Sequence, residues 1–299
     1  MFKKFLVILL SLFIVFGFAA CKSAPKKSMK IGFAASTFTN PFFNDIKAGI
    51  EGVLKGSGYT LVSLGADNDA SKQAAQIEDL ISQKVDFILL NPVDSTTVGT
   101  KIAEANKAGI PVITVDRSAA SGTVIAHVAS DNIAGGKMAA EYLKKLYTAD
   151  FKVLELLGQA GASAATDRSA GFQAVFGAAN IAKSITANWS RAEGQSVTEA
   201  FLTAQGNPAK VLVFAANDEM ALGAVQALKA NKSIKEFKVV GFDAIADAVK
   251  AVNAGELAAT VAQQPVEIGA VAAKSALDYL AGKTVAKNVP VALSLVVKK

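Results

Sequence analysis

The chain has 299 residues, 52% of them hydrophobic and 19% charged, which is enough for about two domains with buried cores and too apolar for intrinsic disorder. Its formal charge of +6 is not gathered into a basic run with interleaved aromatics, which argues against nucleic acid as a partner. A single cysteine, Cys21, excludes an internal disulfide framework and any multi-cysteine metal site.

The chain opens on MFKK followed by FLVILLSLFIVFGFAAC, a basic start and an apolar run that ends in small residues before Cys21. This pattern predicts a secretory signal peptide, the run being short of the ~20 residues of a comfortable membrane span. Phe18-Ala19-Ala20-Cys21 resembles a bacterial lipobox, with Phe where Leu is usual, so residues 1–21 are expected to be a lipoprotein signal whose Cys21 is lipidated. The competing reading is a general secretory signal cleaved nearby, with an inert cysteine. Residues 22–28 (KSAPKKS) have no large apolar side chain and are expected to be a tether.

From Met29 onward, short β-rich runs alternate with helical periodicity. Strands are expected at 29–35 (MKIGFAA), 60–64, 87–91, 112–116, 124–130, 152–158, 184–188, 210–217, 238–243, 257–263 and 289–297. Helices are expected at 43–56, 71–84, 96–108, 133–146, 169–179, 194–205, 218–230, 245–253 and 265–281. Strands apolar at nearly every position are covered on both faces, and this alternation predicts an α/β protein of parallel βαβ units. So many strands exceed one compact sheet, and the rhythm restarts near Phe151, so two doubly wound lobes are expected.

Ligands of open α/β sheets bind beyond the carboxyl ends of the strands. The residues there are Asn40, Phe42 and Phe43; Asn91; Asp116 and Arg117; Arg168 in the loop region after 158; Trp189; Asn217 and Asp218; Asp243; and Gln263. Taken singly, Asp116 or Asn217 reads at least as well as a helix or turn cap, and Phe42 and Phe43 as core. Together they suit a neutral ligand with many hydroxyls: carboxylates accept from hydroxyls, arginine and amides donate, and flat rings cover C–H faces.

Other signals are weaker. The "LAGKT" at 280–284 has Leu277 where a phosphate loop needs glycine, and it follows a helix. "GQAGAS" at 158–163 reads as a tight turn. His127, the one histidine, lies in an apolar strand pattern and reads as packed and hydrogen-bonded rather than as a base. No Ser-His-Asp arrangement and no metal cluster are expected, nor any cofactor, and an enzyme using Asp116 or Asp243 as a base is the minority reading.

The segments STFTNPFF (36–43), NPVDS (91–95), PVITVDR (111–117), HVASDN (127–132), SAATDRSAGF (163–172), NDEMALGA (217–224), VVGFD (239–243) and LAATVAQ (257–263) occur in order across the chain. On these the chain resembles the periplasmic sugar-binding proteins of ABC importers, from about Met29 to Lys299. The resemblance implies a type I periplasmic-binding-protein fold, with lobes joined by a three-strand hinge near 130–131, 263–264 and 291–293. The first lobe would hold residues 29–130 plus 264–291, and the second 131–263 plus 292–299.

It further implies a monosaccharide ligand, D-ribose above others, held by Asn40, Phe42, Phe43, Asp116, Arg117, Arg168, Asn217, Asp243 and Gln263. Trp189 stands where the ribose-binding members have a stacking phenylalanine, while Asn91 and Asp218 are left as supporting residues. An extracytoplasmic monomer, lipid-anchored to the membrane, would close on its sugar and dock on an ABC permease, with a chemoreceptor as a second candidate partner. Another pentose or hexose, or a furanose-like signal, is the alternative ligand. A ligand-sensing repressor of the same two-lobe build would carry a helix-turn-helix where this chain has its leader.

Overall fold

The computed structural model describes residues 29–298, so the expected leader, the tether and the lipidation site at Cys21 lie outside the described residues. The chain alternates strand and helix in three passes. The first comprises β1 (Met29–Ala35), α1 (Pro41–Leu54), β2 (Tyr59–Gly65), α2 (Ala70–Ser82), β3 (Phe87–Leu90), α3 (Gly99–Lys107), β4 (Val112–Val115) and β5 (His127–Ser130). The second comprises α4 (Asn132–Leu146), β6 (Lys152–Leu157), α5 (Ser163–Phe176), β7 (Lys183–Thr186), α6 (Arg191–Ala204), β8 (Lys210–Ala215), α7 (Asp218–Ala230), β9 (Glu236–Asp243), α8 (Ala246–Ala254) and β10 (Ala259–Ala262). The last is short: α9 (Pro265–Leu280), β11 (Asn288–Val291) and β12 (Ser294–Val297).

Two six-stranded sheets result, ordered β11-β5-β4-β3-β1-β2 and β12-β10-β9-β8-β6-β7. The first is parallel throughout, and the second is parallel except for β12, which runs antiparallel to β10. Each sheet winds outward from a switch point, between β1 and β3 in one and between β6 and β8 in the other, and there the carboxyl ends of neighbouring strands leave a crevice. The molecule therefore has two α/β lobes of the type I periplasmic-binding-protein build. The chain passes between the sheets after β5, after β10 and between β11 and β12, and the last two passages touch where Gln264 Nε2 donates to the Ala292 carbonyl at 3.3 Å.

Period-two alternation explains why the strands need cover on both faces. In the first lobe Ile31, Phe33, Phe87 and Leu89 point into a cluster with α1 and α9, whereas Ala34, Ile88 and Leu90 point into a cluster with α2 and α3. The second lobe repeats this with Val211, Val213 and Ala215 on one side and Leu212 and Phe214 on the other. Three helix pairs pack through reciprocal glycines. A Cβ on Gly136 of α4 would lie 2.1 Å from the Arg168 carbonyl of α5, and one on Gly171 of α5 would lie 2.1 Å from the Ile133 carbonyl of α4. That close approach fixes where α5, and with it Arg168, sits over the sheet.

Three expectations need correction. The apolar run 289–297 is two strands in different sheets, because the chain crosses between lobes at Ala292 and Leu293 while remaining apolar. The strand expected at 124–130 begins only at His127; Ile125 makes a single backbone bond to Val112 as the chain approaches the sheet. The helix expected from 169 begins at Ser163, just after a turn at Gly161 (φ +85°), so Arg168 lies in the second turn of α5 and not in a loop. The tight turn expected over 158–163 ends where the helix begins, and the small residues of SAAT are compatible with a helix once α4 packs against α5.

Candidate functional site

The loop after β1 shows how the sequence builds the site. Pro41 sits at the first turn of α1, where its missing N–H costs nothing, and Asn40 caps the helix by accepting from the Phe42 N–H at 3.0 Å. This start turns Phe42 and Phe43 inward, edge to face at 5.3 Å between ring centroids. Both rings belong to the first lobe's core and both also line the cleft. The choice between core and pocket wall is thus not exclusive, since each ring has two faces.

A small cavity lies between the lobes, lined by Asn40, Phe42, Phe43, Asp116, Arg117, Ala164, Arg168, Trp189, Asn217 and Asp243. Nine of the ten residues named from strand ends as contacts line it. Gln263 does not. It stands behind Asp243, donating from Nε2 to Asp243 Oδ1 at 2.8 Å. Ala164, at the start of α5, was missed because alanine carries no chemical signal.

Four charged side chains are buried in this cleft: Asp116, Arg117 and Arg168 at 3% exposure and Asp243 at 6%. Groups so buried must be held by partners. In the first lobe, Asn91 Nδ2 donates to Asp116 Oδ2 at 3.1 Å while its Oδ1 accepts from the Ser36 N–H at 3.0 Å. Arg117 Nη1 donates to the Pro92 carbonyl at 3.2 Å, and its Nε stands 3.8 Å from Asp116 Oδ2. In the second lobe, Arg168 donates from Nε to Asn132 Oδ1 at 2.8 Å, from Nη1 to the Ala216 carbonyl at 2.7 Å and, more weakly, to Asp243 Oδ1 at 3.4 Å. Asn91 thus orients Asp116, and Asn132 orients Arg168. Nothing in the sequence marks Asn132 for this role: it is the first residue of α4, directly after the cap Asp131.

Burial raises the Asp243 carboxyl to about 7, against the pull of the Arg168 guanidinium and the Gln263 hydrogen bond. Burial lowers the Arg117 guanidinium to about 10, opposed by Asp116, which leaves it charged at neutral pH. Asp218 is held well above the ordinary carboxylate range by burial and then by the Asp243 charge. It accepts from Thr260 Oγ1 at 2.7 Å and the Ile245 N–H at 2.9 Å, a structural brace under the site rather than a wall of it. His127 is packed in β5 with Nδ1 3.0 Å from Thr114 Oγ1, and burial lowers its pKa. Among the described residues no group of three or more His, Cys, Asp or Glu could hold a metal ion.

Backbone strain collects at the same place. Asp116 (φ +64°), Trp189 (φ +63°) and Asp243 (φ +116°) all occupy the left-handed half of the map, each at the end of a strand. The lobes meet at the cleft mouth: Ser95 N–H donates to the Gly161 carbonyl at 2.8 Å, Ser163 N–H to Ser95 Oγ at 3.1 Å and Ser118 N–H to Ser163 Oγ at 2.9 Å. The structure is therefore a closed form.

Four buried polar atoms of the site residues have no hydrogen-bond partner among the described residues: Asp116 Oδ1, Arg117 Nε, Trp189 Nε1 and Gln263 Oε1. Two accept and two donate. Such atoms are rare inside proteins, and three of these, on Asp116, Arg117 and Trp189, belong to residues that line the cavity, where they ask for a ligand that both donates and accepts.

The sequence profile of the periplasmic binding protein domain matches residues 31–284. The chain is 44% identical over 278 residues to the ribose import binding protein of Bacillus subtilis (strain 168), covering 93% of this chain and 90% of that protein. It is 45% identical over 272 residues to the ribose import binding protein of Escherichia coli (strain K12), covering 90% of each. Among solved structures it is similar to a galactofuranose binding protein, with TM-score 0.84 and 28% identity over 90% of this chain and 94% of that one.

Proposed function

The chain belongs to the periplasmic binding protein domain family, and from that premise we propose that it is the extracytoplasmic component of an ABC importer that captures D-ribose between its lobes. The observation that carries the reading beyond the family is the set of buried atoms on cavity-lining residues that have no hydrogen-bond partner among the described residues: the acceptor Asp116 Oδ1 and the donors Arg117 Nε and Trp189 Nε1. A sugar hydroxyl both donates and accepts, so a polyol satisfies all three, whereas an anion would be opposed by the acceptor and a cation by the donors.

Recognition is assigned to Asn40, Phe42, Phe43, Asp116, Arg117, Arg168, Trp189, Asn217 and Asp243, with Gln263 acting at the hinge through Asp243. Phe42 and Phe43 from one lobe and Trp189 from the other cover the C–H faces of the ring, while the charged groups set which hydroxyl pattern fits. A sugar lacking one matched hydroxyl leaves a buried group unpaired, at about 1–3 kcal/mol. Because the ligand touches both lobes, it binds the closed form better than the open one and shifts the population by that difference. Moving closure from ~1% to ~99% takes about 5.5 kcal/mol of differential binding. The protein binds and delivers its sugar and does not transform it.

The boundaries proposed for this cycle are 29–130 plus 264–291 for one lobe and 131–263 plus 292–299 for the other. Ahead of them, residues 1–21 act as a lipoprotein signal, and a lipid on Cys21 with tether 22–28 keeps the monomer near its permease. A chemoreceptor is a further partner of the closed form. Another monosaccharide is the second reading, favoured by the similarity to a galactofuranose binding protein.

A thermal-shift panel of pentoses and hexoses tests the ligand. A sugar at about 100 times its dissociation constant stabilises by ~2.7 kcal/mol. Ribose is expected to give the largest shift; no shift with ribose and a clear one with another sugar overturns the assignment.

A further inference from the structure

Trp189 is the one tryptophan of the chain, and it is held with unusual care. It follows Asn188 in the loop after β7, and the two residues in succession have φ of +49° and +63°, conformations that bulky residues rarely adopt. Asn217 Nδ2 donates to the Trp189 carbonyl at 3.3 Å, and Ser190 next to it caps α6. A Cβ on Gly158, just beyond β6, would lie 2.1 Å from Cζ2 of the ring, so only glycine there leaves room for the indole. Two guanidiniums flank the ring, Arg117 from the first lobe at 5.4 Å and Arg168 from the second at 5.6 Å.

Stacking alone would explain an aromatic ring here, but not the state of its nitrogen. The indole Nε1 is buried without a hydrogen-bond partner among the described residues, while the residue lines the cavity. A buried indole N–H normally finds an acceptor. It can only donate, and two neighbouring cations favour a lone-pair oxygen beside it over any other group.

We propose that the Trp189 indole N–H donates a hydrogen bond to an oxygen of the bound sugar, which makes Trp189 a specificity-determining residue and not only a stacking platform. The inference rests on the sugar-binding reading above. It assigns the second lobe a neutral, directional contact besides its charged ones. Phenylalanine at this position would keep an aromatic face and lose the donor, so selection against a sugar lacking that one oxygen is the property the indole adds.

The test uses the mature chain labelled with ¹⁵N, in which a single indole cross-peak reports Trp189 without assignment by mutagenesis. Titrating D-ribose is expected to move the indole proton downfield and slow its exchange with D₂O. Calorimetry of wild type and Trp189→Phe then compares ribose with its monodeoxy and carbocyclic analogues. Trp189→Phe is expected to bind ribose about three- to tenfold more weakly. One analogue, the one lacking the acceptor, is expected to bind both proteins equally. Ribose binding with an unmoved indole peak, or a Trp189→Phe loss that is the same for every analogue, overturns this inference alone. Where ribose fails and another sugar of the panel binds, the same two readouts on that sugar decide the inference while the ribose assignment falls. Binding of no sugar overturns both.

Discussion

The two lobes bring the same kind of groups to the cleft, an aspartate and an arginine each, but hold them differently. In the second lobe Arg168 has both Nε and Nη1 engaged by Asn132 and the Ala216 carbonyl, and Asp243 Oδ1 accepts from Gln263 and Arg168. In the first lobe Asp116 is held by one oxygen and Arg117 by one nitrogen, leaving Asp116 Oδ1 and Arg117 Nε without hydrogen-bond partners among the described residues. Equal burial thus has two purposes. The second pair is a finished piece of structure, whereas the first pair is left for a ligand to complete on the proposed reading.

Breaking each pair separates these purposes. Arg117→Ala removes a buried, incompletely paired charge and is expected to cut sugar affinity by about 30-fold to more than 1,000-fold, the 2–5 kcal/mol of a truncated buried charge contact. Its cost to folding is expected to be smaller than its cost to binding, by urea unfolding without sugar. Arg168→Met should reverse that order: it strips Asn132, the Ala216 carbonyl and Asp243 of a common donor, and a loss of about 3–5 kcal/mol in stability is expected. If both variants lose binding and stability in the same proportion, the contrast between the lobes fails.

Asp243 sharpens the contrast through pH. Its folded pKa of about 7 lies above the ordinary 3.8, so the folded protein holds a proton that the unfolded chain releases. The stability from this group is present below pH ~4 and lost as pH rises through about 7, with a slope of at most ~1.4 kcal/mol per pH unit. Sugar hydroxyls donating to the carboxylate favour its ionised form, so affinity should rise from pH 6 to pH 8, and Asp243→Asn should flatten both profiles. A smaller effect is expected of Asn91→Ala, which leaves Asp116 in place but unheld: about five- to thirtyfold weaker binding by calorimetry.

Most of the two-lobe build was legible in the sequence, because strands buried on both faces are apolar at nearly every position, as FILL at 87–90 shows. The same uniformity hid the break at Ala292 and Leu293, where an apolar run changes sheets without a turn residue to mark it. Site residues at strand ends were legible because the topology of open sheets puts function there, and nine of the ten line the cavity. Their supports were not. Asn132 reaches Arg168 from 36 positions away, and Gly158 makes room for Trp189 across a strand-to-strand connection; neither relation leaves a spacing in the sequence. Arg168 was placed one structural level wrong for the same reason, since α5 begins at Ser163 only through its packing on α4.

The most direct measurement is a calorimetric titration of D-ribose into the mature wild-type chain and into Asp116→Ala at pH 7.5. A ligand that completes the first lobe's pair should give saturable one-to-one binding in wild type and at least about a hundredfold weaker binding in the variant. Equal binding by the two proteins, or no binding of ribose by wild type, would contradict a sugar site between the lobes built on Asp116.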